Sequence, residues 1–150
     1  MSEIHRLIGV GLFGAVVIVV GFLVWVELTS SFDTTPVFFA PVLVGAVVGL
    51  VPSMRVPENS IGVVVLVATL SMTGLGAGEV VQDWGLANGY QTLAIVASLV
   101  NDTSWAALFV SVLILLPIWF PDGFAIHSWS KWIARSAIVL TTLAIAGFWL

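Results

Sequence analysis

From Leu7 to Leu28 the sequence is almost unbroken apolar, interrupted only by glycines and by Glu27. A helix rises about 1.5 Å per residue, so about 20 such residues cross the roughly 30 Å hydrocarbon core of a bilayer. The run exceeds the usual apolar region of a signal peptide, about 7–15 residues, and no small-x-small cleavage site follows Trp25. It is therefore read as a retained first helix. Further apolar runs follow at 36–51, 61–78, 104–120 and 129–150. These runs predict an all-α bundle of about five spanning helices in one transmembrane domain covering residues 1–150.

Composition agrees. The chain is 60% hydrophobic and only 8% charged, against about 45–50% and about 25% in soluble domains. The lipid bilayer is the partner such a surface demands. With four basic residues in all, no nucleic-acid partner is expected. There is no cysteine, which removes disulfides, thiol catalysis and Cys-ligated metals.

Local signals divide the runs. Thr35–Pro36 offers a hydroxyl cap followed by a proline whose missing N–H costs nothing. Pro52 is read as a stop for the second helix, and Asn59 or Ser60 as a cap for the third. The polar stretch Glu79–Tyr90, with its Asn88–Gly89 pair, reads as a loop. Gln91–Val100 is too short to span alone. Asn101–Asp102–Thr103–Ser104 is then either the cap of a fourth helix or a polar notch within one long helix. The cap is the preferred reading, with Gln91–Val100 near the interface.

Charge sets the orientation. With the N-terminus inside, Arg6, Arg55, Lys131 and Arg135 all fall on the cytoplasmic side. Glu27, Asp33, Glu79, Asp83 and Asp102 fall on the opposite side, where there is no basic residue. This obeys the positive-inside rule and predicts a multi-pass protein of the plasma membrane. Trp25, Trp84, Trp105 and Trp149 are expected near the outer boundary. Trp119, Trp129 and Trp132 are expected near the inner one, as interfacial indoles prefer.

Candidate sites are few. Gly9–Val10–Gly11–Leu12–Phe13–Gly14 matches GxGxxG, but no strand precedes it, so helix packing is the better reading. Gly45-x-x-x-Gly49 and Gly74-x-x-x-Gly78 make flat strips for close helix approach, within the bundle or in a homodimer. Thr69, Ser71 and Thr73 are expected to bond back to their own helix carbonyls. Glu27, Glu79, Asp83 and Asp102 could form an acidic outer vestibule that senses a ligand or protons. Glu79 and Asp83, four apart, would share a face on a helical extension. His5 and His127 stand singly, and no cluster has metal spacing. No cofactor is implied. Asn101–Asp102–Thr103 matches a glycosylation acceptor. No ionisable group is expected at mid-membrane.

Two segments carry a resemblance. Leu115–Leu116–Pro117–Ile118–Trp119–Phe120–Pro121–Asp122–Gly123 is similar to the apolar run ending in FPDG of many actinobacterial-type sensor histidine kinases. Ser128, Trp129, Lys131 and Trp132 occupy the basic Ser/Trp linker that follows it there, although Phe124 stands where an Arg is usual. Arg55–Val56–Pro57–Glu58–Asn59–Ser60–Ile61–Gly62 resembles that family's R-P-x-N-x-I-G loop. The resemblance implies a membrane-embedded input region. Neither a phosphoacceptor helix nor an ATP-binding motif is present, so no kinase activity is expected of this chain. Pro121, Asp122 and Gly123 also suit a tight cytoplasmic turn on their own chemistry. Leu150 ends inside an apolar run, as a fragment of a longer chain would. A small transporter or channel subunit, or a structural subunit of a membrane complex with a membrane-protein partner, are the other function classes the sequence allows.

Overall fold

The computed structural model describes residues 2–29, 39–56, 60–119 and 128–148. The expected cap at Thr35–Pro36, the loop at Pro57–Asn59, the turn at Pro121, Asp122 and Gly123, and His127 lie outside them. The described residues form α1 (Ser2–Thr29), α2 (Phe39–Arg55), α3 (Ile61–Ala87), α4 (Gln91–Phe109) and α5 (Ser128–Phe148). The chain of α4 continues through a π-helical segment, Val110–Leu115, and a last α-helical turn, Leu116–Trp119. No strand occurs among the described residues. Three segments are long and apolar enough to cross a membrane: Glu3–Val26, Ile61–Ala87 and Gln91–Leu115. Ala40–Arg55 is a shorter apolar helix.

Two boundaries differ from the sequence reading. Pro52 does not end α2, which runs on to Arg55. The proline removes the backbone donor that the Val48 carbonyl would accept, and the helix runs on beyond it, where the Ser53 hydroxyl donates to the Gly49 carbonyl oxygen at 2.9 Å. Arg55 in the last turn also suits the negative end of the helix dipole. The second difference is larger. Glu79–Ala87 is not a loop, and Asn101–Ser104 is not a cap: α3 and α4 are both continuous through these residues. The turn between them is Asn88–Gly89, and Gly89 takes a positive φ of 79°, which suits a residue without a Cβ. The Tyr90 amide donates to the Gly85 carbonyl at 2.8 Å and closes the turn. Ser60 stands at the N-cap of α3 without a side-chain cap hydrogen bond.

α3 is the hub, with α1, α2 and α4 packed around it. Val16, Val20, Val42 and Ala46 form one core between α1 and α2, closed by Phe13 and Leu70. Val64, Leu115 and Ala134 form a second, where α5 meets α3 and α4. The registers follow from which residues face each glycine. Gly45 faces Thr69 and Gly49 faces Leu66, so α2 is antiparallel to α3. Gly9 faces Ser53 and Leu66, and Gly76 faces Leu23, so α1 is parallel to α3. Gly74 faces Ser104 and Gly85 faces Ala94, so α4 is antiparallel to α3.

These registers sort the charges along the bundle. Arg6, Arg55, Lys131 and Arg135 lie towards the end where α3 begins. Glu79 and Asp83 lie towards the other end, with the final turns of α1. The four described tryptophan side chains, Trp25, Trp84, Trp105 and Trp132, are all exposed.

Candidate functional site

The chemistry-bearing residues gather on the hairpin of α3 and α4. Its seam is built from small side chains at helical spacing: Ser71, Gly74, Gly78 and Gly85 on α3, and Ala94, Ala97, Asn101 and Ser104 on α4. Spacings of three and four keep these residues on one side of each helix. A Cβ added at Gly78 would lie 2.9 Å from the Ala97 carbonyl oxygen and 3.1 Å from the Asn101 amide nitrogen. One added at Gly74 would collide with the Ser104 hydroxyl. The two backbones therefore approach where only glycine leaves room.

The same pairing of glycine with hydroxyl recurs deeper in the bundle. Ser53 is fully buried and sits against both Gly9 and Gly62, so α1, α2 and α3 meet at one serine. A Cβ at Gly45 would lie 2.7 Å from the Thr69 hydroxyl. The hydroxyls are inexpensive to bury because they donate along their own helices. Thr69 bonds to the Val65 carbonyl at 2.8 Å, Ser71 to Val67 at 2.8 Å and Thr73 to Thr69 at 2.7 Å. Sequence reasoning had marked Gly45, Gly49, Gly74 and Gly78, and all four face a neighbouring helix. It missed Gly62, Ser53 and Ser104. The available signal for Ser104 was the spacing of small residues across the Asn88–Gly89 turn, and for Ser53 and Gly62 the small residues flanking the α2–α3 connection.

Three of the four acids expected at an outer vestibule, Glu79, Asp83 and Asp102, have described side chains. Glu79 and Asp83 are exposed on consecutive turns of α3. Asp102 is exposed on α4, about one turn further into the bundle than Glu79 by the Gly74–Ser104 and Gly78–Asn101 register. Its level on α1 is about that of Phe22, inside the apolar run. The Glu27 side chain lies outside the described ones. No group of acids and histidines among the described residues could hold a metal ion. Asp102 stands in mid-helix rather than in a loop, because Asn101–Ser104 belongs to a continuous helix. The glycosylation acceptor likewise falls within helical backbone.

Trp105 also stands deeper than expected, stacked on Phe109 with ring centroids 5.5 Å apart. At the hairpin tip, Trp84 stacks on Tyr90 at 5.5 Å. The π-helical segment places Ser111, 2% exposed, and Leu115, 9% exposed, towards the interior. π-helical turns are frequent at functional sites.

No family model matches the chain, and no curated protein or solved structure is similar to it.

Proposed function

We propose that the chain is a multi-pass plasma-membrane protein with its N-terminus in the cytoplasm, acting as a sensor input or anchoring module. The resemblance to the membrane region of sensor histidine kinases supports this reading. The observation that carries it is the continuity of α4. One helix runs from the acid-bearing end of the bundle to the segment before Pro121–Asp122–Gly123. Along α3 it rests on a strip of small residues, Gly74 against Ser104 and Gly78 against Asn101, which fixes its register. A shift of α4 caused at the outer end is thereby delivered to the cytoplasmic turn. The π-helical segment is the place where such a shift can be absorbed or passed on.

The experiment is a distance measurement. Spin labels at cysteines replacing Val56 and Pro117 report the lower ends of α2 and α4 in bilayers. The proposal expects their separation to change with external pH, divalent cations or bilayer thickness. A separation indifferent to all three conditions contradicts a sensor.

One observation favours a second reading, a small transporter or channel subunit. Asp102 lies within the apolar zone, where a charged aspartate costs up to about 2.5–3.5 kcal/mol at the centre and is a usual mark of an ion path. Proton or sodium flux into vesicles holding the purified chain, lost in Asp102→Asn, would establish that reading.

A further inference from the structure

Asp102 lies on an outward-facing stripe of α4 that is apolar except for the half-buried Ser98. Ile95 and Phe109 stand seven residues to either side of it, and Trp105 stands three residues on, so all four share one face. Ile95 is 63% exposed, Trp105 49% and Phe109 53%. No ion pair to Asp102 occurs among the described residues. On the membrane reading above, on which this inference rests, lipid covers Trp105 and Phe109 well and the carboxylate badly, while Ile95 stands level with Asp83 at the outer boundary. An aspartate side chain is too short to reach the headgroups from that depth in the way lysine or arginine does.

We infer that this face docks a membrane-spanning helix of another polypeptide, one that carries a basic side chain at the depth of Asp102. Charge complementarity selects that occupant. A second copy of this chain cannot supply the cation, because Arg6, Arg55, Lys131 and Arg135 all lie towards the opposite end of the bundle. Two copies inserted the same way would also set Asp102 against Asp102 across a two-fold axis. A basic partner gains a charge-assisted hydrogen bond where water does not compete, while Trp105 and Phe109 supply the packing beside it.

The test uses the full chain in phosphatidylcholine vesicles, with a donor dye on a cysteine replacing the exposed Ala87. Acceptor-labelled polyleucine helices carry a single Lys at the matching depth, a Lys near the opposite end, or Leu only. Energy transfer should show the matched Lys helix binding about tenfold more tightly than the Leu helix. Asp102→Leu should erase the preference, and the displaced Lys should not show it. Equal binding of the matched Lys and Leu helices overturns the proposal, as does a preference that survives Asp102→Leu. Self-association of the chain that disappears in Asp102→Leu also overturns it, in favour of a second copy. Cysteines at Asp83 and Lys131 in the same vesicles report insertion separately. Labelling of both from one side brings down the membrane reading and this inference with it. Opposite-side labelling without a Lys preference removes the inference alone.

Discussion

The α2–α3 seam and the outward face of α1 are both rich in glycine, yet their surroundings are opposite. A Cβ at Gly62 would lie 2.6 Å from the Gly49 carbonyl oxygen and 2.7 Å from the Ser53 amide nitrogen, both main-chain atoms. A Cβ at Gly11, Gly14 or Gly21 would meet nothing within 4 Å. A glycine inside a helix costs about 1 kcal/mol relative to alanine. In the seam, close packing of two helices offsets that cost. On α1 nothing among the described residues does, so only Gly9 of the Gly9–Gly14 pattern joins a seam. Glycine count alone therefore says little about packing; the spacing on both partner helices says more.

Substitutions can break or sharpen this contrast. The largest effect is expected at Gly62→Ala, where the obstruction is backbone and the helices must part. A loss of about 1–3 kcal/mol should appear as unfolding at lower SDS fraction in mixed micelles, followed by tryptophan fluorescence. Gly74→Ala should lose less, about 1 kcal/mol, because the obstruction is the Ser104 side chain. Adding Ser104→Ala should recover most of that loss. A double-mutant cycle with no coupling would show that the two residues do not touch. Gly11→Ala should be neutral or stabilising by up to about 1 kcal/mol. A loss there as large as at Gly62 would mean that the outward face of α1 is packed against something.

The helical class was legible from the apolar runs, and the buried threonines behave as their chemistry dictates. The extent of α3 and α4 was not legible from hydropathy. Glu79, Gln82 and Asp83 look like a loop when polarity alone is weighed. They are helical because Gly78 and Gly85 let α4 lie against the same turns. Asn101 and Ser104 look like caps for the same reason, and they are instead the residues that face Gly78 and Gly74. Tertiary packing of a small-residue seam overrode the local signals. The depth of Asp102 was hidden by that one misplaced boundary, since an acid in a loop and an acid in mid-helix differ only in what surrounds them.

The account rests on a bundle whose acid-bearing end faces outward and whose basic end faces the cytoplasm. Because the chain has no cysteine, single cysteines can replace Asp33, Glu58, Asp83 and Gly123 and be labelled in intact cells with a membrane-impermeant maleimide. Labelling at Asp33 and Asp83, with protection at Glu58 and Gly123 until the cells are opened, is the predicted result. Labelling of Glu58 and Gly123 from opposite faces of the membrane would contradict it.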